Sequence, residues 1–331
     1  MTRPLSRLFL AAAALSAPIA LLAAEADALA WLERMQGALT ERTYRGEFSY
    51  VRDGELSSLA ITHGRIDGVV RERLVHLDGP HREIHRIGER LSCLVEPGDP
   101  MLDHVQRVPV GPLSRAFLPG EVASGTRLSD RYLVRLAGTG RIAGEPVVRI
   151  DIVPDDETRY GYRLWLQNPT AMPLRAELLD PDARPLEIFQ FVRVEVGAVL
   201  DESAFTTRVP GLVRHDFEVA AGSEETGSAH DWEASWLPAG FEMAAATLRR
   251  TPARAQPVQT LRYSDGIASL SVFVEPAWTD AGEAGPRRSG ATSAVMRELE
   301  VAGGDRYLVT VVGEVPPETA RRVADAVRPR S

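Results

Sequence analysis

The sequence predicts an α+β protein in two domains, a large antiparallel sheet or open barrel followed by a smaller α+β unit. Two observations carry that prediction. Between residues 44 and 196 apolar side chains recur at every second position in short runs broken by turn signals, the pattern of half-buried strands. The chain left after an N-terminal leader, about 305 residues, exceeds what one hydrophobic core covers, and 44% hydrophobic residues suffice to fill two.

Residues 1–24 read as a secretory signal peptide. Arg3 and Arg7 precede an apolar run from Leu8 to Leu22, and the small residues Ala23, Ala24 and Ala26 follow. The run is about 15 residues, short of the roughly 20 that a spanning helix needs. Cleavage is expected after Ala24 or Ala26, beside Glu25 or Asp27 and not beside a cysteine, so the expected product is exported without a lipid anchor.

The first domain is expected over residues 25–200. It opens on an amphipathic helix from Glu25 to Thr40, with Ala28, Trp31, Leu32, Met35 and Leu39 at helical spacing. The period then becomes two: Tyr44, Phe48 and Tyr50 share one strand face, and Val148, Ile150 and Ile152 share another. Further strands are expected at 56–63, 69–77, 82–87, 132–137, 162–167, 173–179 and 186–196. Turns are expected at 52–54, 78–80, 97–100, 138–140 and 180–182. In the run 186–196, Ile188, Val192, Val194 and Val196 fall on one face, and Phe189 and Phe191 on the other with Glu187, Arg193 and Glu195. That two-sided pattern predicts a sheet covered on both faces at that point.

Residues 201–231 lose the strand pattern and include a small, polar stretch, Ala220 to Ser228, which reads as an interdomain linker. A second domain is expected over 232–331, with strands at 244–250, 259–263, 268–275 and 306–312. A closing helix is signalled by Pro316-Pro317-Glu318, with Ala320, Val323, Ala324 and Val327 on one face.

Charge and residue types exclude several functions. All 38 basic residues are arginine, so lysine-dependent phosphate loops and Schiff-base chemistry are absent. Residues 25–231 hold 24 arginines against 34 acids, and 232–331 hold 12 of each. Neither part offers the basic field that nucleic-acid binding requires. Cys93, the single cysteine, cannot form an internal disulfide, and within Leu91–Val95 it reads as a small buried residue of a strand.

No motif for catalysis or metal binding survives inspection. In His81-Arg82-Glu83-Ile84-His85 the residue after the first histidine is arginine, not the glutamate of the helical zinc motif. On a strand the two histidines stand about 13 Å apart along the chain, too far to share a zinc at about 2 Å each. Gly138-Thr139-Gly140 joins strands, with no helix to supply phosphate-binding amides. Asp155-Asp156-Glu157 lacks the alternating ligands of a calcium loop and reads as a solvated turn. No Gly-x-Ser-x-Gly elbow is present. No catalytic residue, metal or cofactor is therefore expected.

Two apolar sets are candidates for binding. Phe48, Tyr50, Ile150, Ile152, Leu164, Leu166, Phe189 and Phe191 form either the lining of a lipid-accepting cavity or a sealed core. Trp232, Trp236 and Phe241 at the entry to the second domain, with Tyr263 inside it, either meet a partner or brace the two domains.

Six blocks carry a resemblance. In the first domain they are Leu77–Ile84 (LDGPHREI), Thr158–Trp165 (TRYGYRLW) and Pro173–Asp180 (PLRAELLD). In the second they are Trp232–Phe241 (WEASWLPAGF), Tyr263–Gly266 (YSDG) and Val312–Ala320 (VGEVPPETA). Together, in order, they resemble the RseB/MucB family of periplasmic regulators of the envelope-stress sigma factor. The resemblance implies a periplasmic chain that binds the periplasmic part of an RseA/MucA-type membrane anti-sigma factor and shields it from proteolysis. A lipid or lipopolysaccharide signal would release it. It also implies that the first domain is a LolA/LolB-like open antiparallel β-barrel packed on helices. The linker departs from the family pattern, so no hinge or contact residues are carried over. Two rival readings stay open, a periplasmic lipid or lipoprotein carrier using the barrel alone and an unrecognised hydrolase. Self-association as a homo-oligomer also stays open.

Overall fold

The computed structural model describes residues 16–99, 128, 130–218, 231–249, 258–277 and 285–330. Helix α1 (Ser16–Glu41) leads into β1 (Tyr44–Arg52), β2 (Glu55–Ile66), β3 (Val69–His76), β4 (Arg82–Ile87) and β5 (Arg90–Val95). After these come β6 (Tyr132–Ile142), β7 (Glu145–Pro154), β8 (Gly161–Gln167), β9 (Pro173–Leu179), β10 (Pro185–Val196) and β11 (Val213–Glu218). All eleven join one antiparallel sheet in the order β11-β5-β4-β3-β2-β1-β10-β9-β8-β7-β6. The sheet curls around α1 without closing, because β11 and β6 remain as edges. Ala28, Leu32, Met35 and Leu39 of α1 lie in one core with Phe48, Ile61, Ile150, Leu164 and Phe191. The α+β class and the antiparallel sheet are as expected from the alternation, and the open sheet packed on a helix is as the resemblance implies.

Asp53-Gly54, Asp67-Gly68 and Ala143-Gly144 each put two residues at positive φ between paired strands, the two-residue turn that suits the right-handed strand twist. The expected turn at Gly138–Gly140 is corrected. These residues lie inside β6, where Gly138, at φ +123°, sits at a bulge opposite β7, and the chain reverses four residues later.

The two-sided reading of residues 186–196 is also corrected. Phe48 pairs with Phe191 and Glu47 with Arg193, so Val192 is an extra residue in β10. A single inserted residue reverses which face the following side chains take. Phe189, Phe191, Val194 and Val196 therefore all reach the same core, while Val192 is 61% exposed. One bulge, and not cover on both faces, explains the pattern.

The stretch expected as a linker is structured over much of its length. A 3-10 turn at Glu202–Phe205 is capped by Asp201, and β11 then adds to the sheet edge beside β5. Residues 219–230 lie outside the described residues.

The second sheet has the order β13-β14-β15-β18-β17-β16: β13 (Glu242–Arg249), β14 (Val258–Ser264), β15 (Ser269–Pro276), β16 (Arg287–Ser289), β17 (Thr292–Glu300) and β18 (Arg306–Gly313). Helix α2 (Pro317–Asp325) buries Ala320, Val323 and Ala324 in the core of that sheet. A two-stranded ribbon pairs β12 (Trp232–Ala234) with β19 (Val327–Pro329). Strand β17 was not anticipated. Met296, Arg297, Glu298 and Leu299 favour helix, and pairing with Tyr307 to Thr310 of β18 overrides that preference.

Candidate binding site: the inner sheet face and the domain junction

The eight residues of the first apolar set come together. Phe48, Ile150, Ile152, Leu164, Leu166, Phe189 and Phe191 are buried in the α1 core, and Tyr50 packs at its margin. Cross-strand pairing puts them on one face: Ile150 faces Leu164, Phe48 faces Phe191 and Tyr50 faces Phe189. The three phenylalanine rings interlock with centroids 4.6 to 5.8 Å apart. Tyr50 turns its hydroxyl out of this cluster to donate to Glu187 Oε2 at 2.5 Å.

The second set divides. Trp232 is buried edge-on to Tyr307, and Tyr263 accepts a bond from the Ala234 amide, so both serve the second core. Trp236 lies 3.8 Å under the Arg322 guanidinium. Phe241 alone of the four lies under an arginine of the first domain, Arg159, at 5.5 Å.

That arginine marks the junction of the two sheets. Arg159 is fully buried, and its Nη1 donates to Asp265 Oδ2 at 2.5 Å. Its other guanidinium nitrogens reach Asp156 and the Ala239 carbonyl, while Tyr132 donates to Asp265 at 2.9 Å. Asp265 also accepts the amides of Ile267 and Ala268, a local turn that aims its carboxylate across the interface. Burial works against the charge on Arg159, but Asp156, Tyr132 and Asp265 hold its pKa above the ordinary value. Asp156 keeps its place in a partly exposed bend, as expected, and also bonds the junction arginine.

A second cluster joins the same two units. The turn after β16 is gripped from the β1–β2 hairpin: Gly290 N donates to Asp53, Ser289 Oγ donates to Asp53, and Arg52 Nη2 donates to the Ser289 carbonyl at 2.7 Å. Ala291 N donates to Glu187 Oε1 at 2.8 Å. Gly290 is at φ +55°, and a Cβ there would stand 2.0 Å from Glu187 Oε1. Between the clusters Thr319 Oγ1 donates to the Thr158 carbonyl, and Ile267 and Ala291 of the second unit enter the first core.

On the outer face of the first sheet, Glu83 is fully buried and accepts Arg73 through two nitrogens, His81, His85 and Thr207. An ionised carboxylate only accepts, so both histidines spend a ring N–H on it. Burial opposes the charge, yet these donors hold the carboxyl well below its usual range. Thr207 ties the segment after β10 to this strand, and Arg71 reaches Glu202 beside it.

Sequence reasoning missed Arg159, Asp265, Tyr132, Asp53, Glu187 and Gly290 as a set. A signal was present: Thr158, Arg159, Ala239, Phe241, Asp265 and Thr319 all fall inside four of the resembling blocks.

The two-sheet architecture is that of a known class. The family models described as the MucB/RseB N-terminal domain and the MucB/RseB C-terminal domain match residues 27–209 and 226–328, and the chain belongs to that family. Among curated relatives, it is 37% identical over 313 residues to the sigma factor AlgU regulatory protein MucB of Pseudomonas aeruginosa strain PAO1, covering 92% of each chain. It is 30% identical over 308 residues to the sigma-E factor regulatory protein RseB of Escherichia coli K12, covering 90% of each. Among solved structures, P. aeruginosa MucB in its complex with MucA matches with a TM-score of 0.72 at 34% identity, over 92% of this chain and 99% of that one. A crystal structure of MucB matches with a TM-score of 0.60 at 33% identity, over 92% and 98%. These relatives are regulatory proteins by name, and MucB was solved in complex with MucA. No helix among the described residues is long and apolar enough to cross a membrane.

Proposed function

We propose that this chain is a periplasmic negative regulator of an envelope-stress sigma factor, acting by binding the periplasmic segment of a membrane anti-sigma factor and slowing that segment's proteolysis. The observation that carries the reading is family membership over both domains. It is supported by the structural likeness to a MucB solved with the periplasmic part of MucA, a relative sharing 34% of its residues over 92% of this chain. Arg159, Phe241, Asp265 and Thr319 of the junction lie in the resembling blocks, which favours both domains acting as one binding unit. Calorimetric titration of the leader-free chain with the periplasmic segment of the anti-sigma factor from the same genome is expected to give saturable one-to-one binding. Absence of binding would refute the reading.

A lipid or lipopolysaccharide component is proposed as the releasing signal, accepted on the inner face under α1. The interlocked Phe48, Phe189 and Phe191 favour this, since an acyl chain could replace the apolar contacts of α1 without leaving polar groups unpaired. A photoreactive fatty acid should label these strands and lower affinity for the segment. Labelling confined to the surface would mark the set as a sealed core.

A further inference from the structure

The outer face of β6 to β10, on the opposite side of the sheet from Phe48, Phe189 and Phe191, carries a surplus of arginine. Cross-strand register sets Arg135, Asp151, Arg163 and Glu177 in one row and Arg149, Trp165 and Arg175 in the next. These positions alternate with Val134, Ile150, Leu164 and Ala176, which face the α1 core. Asp151 lies 3.3 Å from Arg135 Nη2, 3.2 Å from Arg149 Nε and 3.8 Å from Arg163 Nε. Glu177 accepts Arg163 Nη1 at 2.8 Å and Arg175 Nε at 2.9 Å, and Arg175 stands 5.1 Å from the Trp165 ring centroid. Four guanidiniums thus meet two carboxylates, a surplus of two positive charges within residues 25–231, where 24 arginines stand against 34 acids. Asp151 and Glu177 are 10% and 5% exposed, whereas Arg135 and Arg149 are 54% and 37% exposed. The acids therefore lie beneath and hold in place guanidiniums whose remaining N–H groups face solvent.

We propose that this face docks an extended acidic peptide segment of a partner protein, whose carboxylates bond the outward N–H groups of Arg135, Arg149, Arg163 and Arg175. Charge complementarity selects the occupant, since the planar guanidinium presents paired donors that match a carboxylate. Arginine flanking tryptophan is also the composition that marks protein interfaces. An anionic bilayer fits less well. The net charge of −8 on the whole chain opposes approach to an extended negative surface, while a short peptide feels chiefly the charges within a Debye length of about 8–10 Å. The face also runs out to β6, which ends the sheet, and Arg135, Leu136 and the residues from Gly138 to Arg141 are exposed along that strand. An open strand edge offers backbone groups that an extended chain can pair and a lipid headgroup cannot.

This inference stands apart from the identity of the partner proposed above, and a generic acidic probe tests it. Dye-labelled hexaglutamate titrated into the full leader-free chain at about 50 mM salt should bind saturably, hexaserine should not, and the affinity should fall about tenfold on going to about 300 mM salt. In the proton–nitrogen spectrum the Nε–H signals of Arg135, Arg149, Arg163 and Arg175 should shift with the peptide. The signal of Arg328, an exposed arginine of the second unit paired with Glu233, should stay in place. The double variant Arg135→Gln, Arg149→Gln should bind the probe about tenfold more weakly, and Arg328→Gln within about twofold of the wild type. No saturable binding, unmoved signals at the four arginines, or an equal loss in Arg328→Gln overturns the inference. So does a double variant that keeps its hexaglutamate affinity and loses binding to phosphatidylglycerol vesicles, which would make the face a membrane site.

Discussion

Arg159 and Asp265, 106 residues apart in sequence, meet at 2.5 Å in an ion pair from which solvent is excluded on both sides. Such a pair adds little over a well-packed apolar pair of the same volume, but removing one partner leaves an uncompensated buried charge. Asp265→Ala should therefore cost about 3 kcal/mol in denaturant unfolding, and Asp265→Leu combined with Arg159→Met should recover more than half of it. A double variant as weak as the single one would show that the pair is not coupled.

Gly290 leaves room for a side chain only if Glu187 and Arg52 move. Its positive φ strains any other residue, and an added methyl would strike Glu187 Oε1 and Arg52 Nε. Gly290→Ala should cost about 1–3 kcal/mol and speed amide exchange at Ala291, while leaving exchange in β15 and β18 unchanged. Gly303, at φ +112° with nothing near it, is the control: Gly303→Ala meets backbone strain alone.

Glu83 links the outer face to the segment after β10. Its carboxyl is depressed in the fold, so the stability it supplies is present above its ordinary value, 4.5, and is lost as pH falls below that. Acid unfolding of Glu83→Gln should be flatter than that of the wild type below about pH 4.5, with lower stability at neutral pH because Arg73 loses its paired bonds. Parallel acid-unfolding curves would contradict this.

Val192 should be dispensable and Gln190 not. Deleting Val192 turns the bulge into a regular strand that keeps Phe191 opposite Phe48 and Arg193 opposite Glu47. Deleting Gln190 sends Phe189 and Phe191 to opposite faces and exposes one of them, at about 3–5 kcal/mol. Thermal melts of the two deletion variants distinguish these outcomes.

The strands of the first sheet were legible because period-two alternation is local: Ile150 and Ile152 announce a buried face without knowledge of the partner strand. The bulge at Val192 was not, since two apolar faces and one shifted face give the same string of letters. Strand β17 was hidden by residues whose local preference is helical and whose strand form is imposed by pairing with β18. The first apolar set was legible as a set, and the structure puts all eight residues on one face. The junction was opaque for a different reason. Arg159, Glu187 and Asp265 are ordinary surface residue types, and what makes them special is a contact partner about a hundred residues away.

The most direct test of the proposed regulation is the cleavage rate of the anti-sigma factor's periplasmic segment by the protease that begins its destruction, with and without the leader-free chain. The account predicts that a stoichiometric amount of the intact chain slows cleavage at least about tenfold, matching an occupancy set by binding, and that Asp265→Ala protects less well. Cleavage at the same rate in the presence and absence of saturating chain would contradict it.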